Sequence, residues 1–132
     1  MSNSGEIAIK IDLFGIGSVR AVIHRHLSPL SADAILDKMP FIMRGRFNFG
    51  SKDYWSLPGI GIYKGLNPKS TRTVKKGNII YNPKSDELIV LLEDREMPNK
   101  MNLIGEITEN LNLFLQAKSG LNTKFSRIRS QK

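Results

Sequence analysis

Hydrophobic residues recur at every second position near the start of the chain. Ile7, Ile9, Ile11 and Leu13 alternate with Glu6, Ala8, Lys10 and Asp12, the period of a strand with one buried face. Phe14-Gly15-Ile16-Gly17 supplies the glycines of a turn, and Val19, Ala21 and Ile23 alternate with Ser18, Arg20 and the less polar Val22. A hairpin ending at His24-Arg25-His26 follows. The period then changes. Ser31 is placed to cap a helix over Ala32 to Lys38, with Asp33 in its positive first turn and Leu30 and Ile35 at the spacing of a hydrophobic staple. Ile35, Leu36 and Met39 would face the sheet, and Pro40 ends the helix by pushing the residue before it out of the helical region.

Strand patterns return after the proline. Phe41-Ile42-Met43-Arg44 and Tyr54-Trp55-Ser56-Leu57 are rich in aromatic and apolar residues and are punctuated by Gly45, Gly50, Pro58 and Gly59. Residues 59–73 hold Gly61, Gly65, Pro68 and many polar groups and read as a long mobile loop. Val74 to Tyr81 reads as a hairpin turning at Lys76-Gly77-Asn78. Leu88 to Leu92 is an uninterrupted apolar run, the signature of a strand buried on both faces. A polar loop from Glu93 to Lys100 leads to a strand over Leu103 to Ile107. Leu111, Phe114 and Leu115 line one face of a short helix that Gly120 can terminate. Lys124-Phe125-Ser126-Arg127-Ile128-Arg129 alternates as a last strand, leaving Ser130-Gln131-Lys132 as a free basic tail.

The 132 residues, 40% hydrophobic and 24% charged, have the size and composition of one globular domain spanning 1–132. No cysteine is present, which excludes disulfides, thiol nucleophiles and cysteine-ligated metals. No apolar block suggests a signal peptide, and no stretch is long enough to span a bilayer, so the expectation is a cytoplasmic protein without membrane partners. The net charge of +8 is uneven. Lys118, Lys124, Arg127, Arg129 and Lys132 follow Ala117 without an acid, and Lys64, Lys69, Arg72, Lys75 and Lys76 form a second base-only stretch. Such clusters either neutralise the phosphates of nucleic acid or stand as solvated loop and edge-strand charges.

Other chemistry is sparse. His24 and His26 share a strand face but have no neighbouring carboxylate in the sequence, and Glu93, Asp94 and Glu96 lack calcium-loop spacing. No metal or cofactor is therefore expected. Gly15-x-Gly17 and Gly59-x-Gly61 are turn chemistry rather than phosphate loops. Arg44, Arg46, Phe49, Tyr54, Trp55 and Tyr81 lie on neighbouring predicted strands and form a candidate aromatic and basic groove for a peptide or small ligand.

The order of elements, with Met39-Pro40, Phe49-Gly50, Lys52, Tyr54-Trp55, Pro58, Val74, Gly77-Asn78, Tyr81-Asn82-Pro83 and Asn102-x-x-Gly105 in sequence, resembles a small prokaryotic family of cyclophilin-like proteins of unestablished function. The resemblance implies a mainly β, closed cyclophilin-like barrel with two short helices. Phe49, Lys52, Asn78 and Asn82 replace the family's Trp, Glu, Asp and Trp, so a ligand drawn to that acid is not expected. Cyclophilins place a key arginine on the strand after the first helix, which makes Arg44, with Arg46 second, the candidate for peptidyl-prolyl isomerase chemistry. The remaining isomerase residues are missing, so whether the chain is an enzyme stays open.

Overall fold

A computed structural model describes residues 5–47 and 51–128. In chain order the strands are β1 (Glu6–Leu13), β2 (Gly17–His24), β3 (Phe41–Arg44), β4 (Arg46–Phe47), β5 (Tyr54–Pro58), β6 (Thr71–Val74), β7 (Asn78–Asn82), β8 (Glu87–Leu91), β9 (Arg95–Glu109) and β10 (Asn122–Arg127). Helix α1 (Pro29–Lys38) follows β2, and a 3-10 helix (Leu111–Gln116) precedes β10. Every ladder is antiparallel, and the main sheet runs β3-β10-β1-β2-β9-β7-β8-β5-β4. The first hairpin and the returning last strand form as the alternation predicts, with Ile11 opposite both Val19 and Phe125.

The expected closed barrel is corrected here. No ladder joins β3 to β4 among the described residues, so the hydrogen-bonded path has two ends. Those ends are nonetheless consecutive in the chain, separated by Gly45. The Gly45 N–H donates to the Leu121 carbonyl at 3.0 Å, and its carbonyl accepts from Gly120 N–H at 2.7 Å. A Cβ on Gly45 would overlap the Trp55 indole, so only glycine lets the backbone pass so close.

Inward side chains of the main sheet fill one core with Ile9, Ile11, Val19, Ile23, Trp55 and Phe125 among them, all at most 1% exposed. Trp55 donates its indole N–H to Thr123 Oγ1 at 3.2 Å, which satisfies the one polar atom of a buried ring. The outer face of β7 and β8 carries a second apolar cluster of Ile80, Ile89, Leu91, Val74, Met97 and Met101. Here β6 and the first half of β9 pair with each other and cover that face. This explains the unbroken Leu88–Leu92 run: Leu88 and Val90 face one core, Ile89 and Leu91 the other.

Three expectations change for identifiable reasons. The predicted Val74–Tyr81 hairpin does not form, because Lys75–Asn78 carries the chain from the outer layer into the main sheet. Gly77 N–H bonds Leu91 and its carbonyl accepts from Ile107, so β6 turns to β9 instead of β7. The predicted loop 93–100 is mostly strand, since Met97 and Met101 share a face and bury in the second core behind polar neighbours. Helix α1 starts at Pro29 rather than after Ser31, using proline's preset φ at the first helical position. Ser31 is buried inside α1, and Leu30 is 75% exposed, so no staple forms.

The short helix has i, i+3 periodicity, so Phe114 buries, Leu111 packs behind it and Leu115 swings outward. Among the described residues no helix is long and apolar enough to cross a membrane.

Candidate functional site

The groove expected from Arg44, Arg46, Phe49, Tyr54, Trp55 and Tyr81 is not assembled on one face. Trp55 and Tyr81 are 0% exposed and point into the main core. Tyr54, the next residue on β5, points to the outer cluster with the Arg95 guanidinium 5.2 Å above its ring. Arg46 pairs in register with Ser56, turns outward and lies 3.8 Å from Glu87. Arg44 is exposed opposite Asn122 at the end of β3, on a strand whose Phe41 and Met43 face the core. Phe49 lies outside the described residues. Strand alternation therefore separates the arginines from the aromatic rings that were to form a groove with them.

Several of the other singled-out groups have structural partners. His24 is held between Glu6 (3.5 Å from Nδ1) and Glu106 (3.2 Å from Nε2), carboxylates that come from adjacent strands rather than adjacent sequence. Asp94 accepts the Lys76 N–H, and Glu96 accepts from Thr73 and pairs with Arg72. No group of three or more His, Asp or Glu able to hold a metal occurs among the described residues. Lys52 lies over the Phe47 ring and donates to the Leu115 carbonyl. On β10, Lys124 sits opposite Asp12 and Arg127 lies 4.0 Å from Asp37.

A different constellation stands out at the end of the sheet covered by residues 59–70. Asp86 sits at φ +54°, a left-handed backbone that Asp tolerates, in the turn between β7 and β8. Its buried carboxylate accepts the N–H groups of Gly61 (2.6 Å), Ile62 (3.3 Å) and Tyr63 (3.1 Å) together with the Tyr81 hydroxyl (2.6 Å). Burial opposes the charge, but these four donors outweigh it and hold the Asp86 carboxyl below the ordinary carboxylate range. Burial first, then the hydrogen bond to Asp86, pushes the Tyr81 phenol up to about 12, so it stays a neutral donor. Tyr81 also accepts the Lys64 N–H at 3.3 Å.

Farther along the loop Asn102, 0% exposed, accepts the Asn67 N–H and donates to Gly65 carbonyl and to Ser31 Oγ in α1. The loop expected to be mobile is thus strapped to the sheet at Asp86, Tyr81 and Asn102. Sequence reading named Tyr81 as a groove residue and Asn102 as part of an Asn-x-x-Gly motif but missed Asp86, because a single Asp in a turn carries no periodic signal.

Beside the strap lies a cleft of about 320 Å³ lined by Leu66, Pro83, Lys84, Asn99 and Lys100. Leu66 and Pro83 give it apolar walls, and no carboxylate lines it among the described residues. Asn82 Oδ1 ties two of the lining residues together, accepting from Lys84 N–H and from Asn99 Nδ2, both at 3.1 Å. Lys64, Lys69, Lys84 and Lys100 form no ion pair among the described residues. A second cleft of about 240 Å³ between α1 and the ends of β1 and β10 is lined by Arg25, Asp33, Asp37 and Arg127. Its charges already satisfy one another, with Arg25 forking onto both oxygens of Asp33 at 2.7 and 3.2 Å.

No family profile and no curated protein matches the sequence. Solved structures do match in fold. The chain superposes on the hypothetical protein AF2241 from Archaeoglobus fulgidus with a TM-score of 0.75 at 16% identity, covering 96% of this chain and 98% of that one. It superposes on McbB, solved in complex with tryptophan, with a TM-score of 0.75 at 12% identity, covering 94% of this chain and 46% of McbB. At these identities the likeness is one of fold alone.

Proposed function

We propose that this chain is a binding module that buries an apolar group of a peptide or small molecule in the cleft between Leu66 and Pro83. The observation that carries the reading is the cleft itself: apolar walls, lysines that form no ion pair among the described residues, and a loop fixed in place by a buried carboxylate. Ordering a loop before the ligand arrives lowers the entropic cost of binding, which is what a preformed site requires. That McbB is a tryptophan complex is in keeping with small-ligand binding by a chain containing this fold. The cyclophilin-like resemblance belongs to the same proposal. What supports it is the order of hairpin, helix, strands, short helix and returning strand, and it brings no activity with it.

The test is a thermal-shift screen of small apolar carboxylates, amines and peptides, repeated on Leu66→Asp. Leu66 is 55% exposed, so the substitution leaves the fold intact while placing a charge in the cleft wall. Ligands that raise the wild-type Tm should fail to do so for the variant. Equal shifts in both proteins would place the site elsewhere.

A further inference from the structure

Tyr63 combines two features that seldom coincide. Its backbone lies at φ +49°, a region bulky L residues avoid, and its side chain is 81% exposed. The conformation is imposed: Asp86 grips three successive amides ending at Tyr63 itself, and Tyr81 holds the next one. The bonds that strap the loop thus also hold an outward aromatic ring in a strained conformation, and strain of this kind clusters at positions that clamp ligands. Two more large apolar side chains are exposed nearby. Leu66, 55% exposed, follows on the same loop, and Leu30, 75% exposed, precedes the Ser31 that Asn102 ties to Gly65. Lys64 and Lys69 lie on the same loop and Lys84 and Lys100 line the cleft with Leu66, all without ion pairs among the described residues.

Resting on the binding reading above, we infer that this end of the molecule docks an acidic segment of another protein, with Tyr63 as its displayed anchor. Tyrosine is enriched at the centres of protein interfaces because it offers large contact area at low entropic cost. These four lysines select carboxylates and steer their approach. Tyr63 and Leu66 on the loop and Leu30 at the helix end tied to that loop through Asn102 together offer more exposed apolar surface than a small molecule in the cleft would cover. With one aromatic ring and two leucines, that surface disfavours single-stranded nucleic acid, which is held by several stacked aromatic rings.

The experiment measures fluorescence polarisation with three probes: a short labelled peptide alternating Glu or Asp with Leu and Phe, the same peptide with Gln for every acid, and an oligo(dT). The acidic peptide should bind at least about tenfold more tightly than its Gln counterpart. Tyr63→Gly should weaken it by about tenfold or more. The same variant should melt higher than wild type, because glycine relieves the positive φ. Leu30→Ser, at an exposed helix position, should also weaken binding without lowering the Tm. A lower melting temperature for Tyr63→Gly would show that the ring is structural and overturn the anchor. Equal affinity for acidic and Gln peptides, or tighter binding of oligo(dT), would overturn the partner class. Small-ligand shifts abolished by Leu66→Asp alongside no peptide binding would remove this inference alone. If those shifts are also absent, both readings fall.

Discussion

Replacing Asp86 by Asn tests what fixes the 59–70 loop. Asparagine tolerates the left-handed φ of +54°, so the backbone of the turn is preserved and only the carboxylate is lost. In the native protein Oδ1 accepts from Tyr81, Ile62 and Tyr63 while Oδ2 accepts from Gly61. An amide supplies one oxygen. Its NH2 group must face at least one of these donors, leaving that donor unpaired, and the remaining bonds lose their charge assistance. Weakened charge-assisted bonds and one orphaned donor together cost about 2–4 kcal/mol. For a chain of this size the Tm should fall by about 8–15 °C.

Hydrogen exchange should accelerate at the amides of Gly61, Ile62, Tyr63 and Lys64, with the β1–β2 hairpin unaffected. The pH dependence has a definite sign. A carboxyl whose folded pKa is depressed contributes fully above its ordinary value of 3.8 and loses that contribution as pH falls through the lower folded value. The gap between wild type and variant should therefore be full at neutral pH and narrow below about pH 4. Melting points within about 2 °C of each other at neutral pH, with unchanged exchange at residues 61–64, would refute the role given to this carboxylate.

Other outcomes follow from specific contacts. Gly45→Ala puts a Cβ into the buried indole of Trp55 and should cost about 3 kcal/mol in a urea titration, since overpacking forces the ring or the backbone to shift. Trp55 is the only tryptophan, so its emission should also move to the red if the ring is displaced. Asn102→Ala orphans Asn67 N–H and the Gly65 carbonyl and frees Ser31, and should cost about 2–3 kcal/mol. Limited proteolysis should then cut within residues 62–70, whereas an unchanged digestion pattern would deny Asn102 its anchoring role.

Elements with one buried face were legible from sequence. The β1–β2 hairpin and β10 follow simple alternation, and β8 announces its double burial by an unbroken apolar run. What misled was context that alternation does not encode. Met97 and Met101 lie among Glu, Pro, Asn and Lys, so their shared face is hidden until a second apolar layer exists to receive it. Lys76-Gly77-Asn78 has hairpin composition but is used to change layers. The expected groove failed for a related reason: counting aromatic residues on neighbouring strands ignores that Trp55 and Tyr54 face opposite ways. Asp86, which organises the strapped end, was invisible because its importance lies in three consecutive loop amides, 23 to 25 residues earlier in the chain, that gather on it together with the nearby Tyr81 hydroxyl.

The small outer layer formed by β6 and the first half of β9 carries a liability. It is a two-stranded cover, held down by Val74, Met97 and Met101 and by polar contacts of Arg95 with Tyr54 and Asp53 and of Asn99 with Asn82. Delamination of this flap would bare Ile80, Ile89 and Leu91 while the main sheet stayed intact, presenting an adhesive surface on otherwise native molecules. Self-association under mild stress should accordingly begin from such peeled, largely folded chains, and charges placed on the flap's outer surface should slow it without altering global stability.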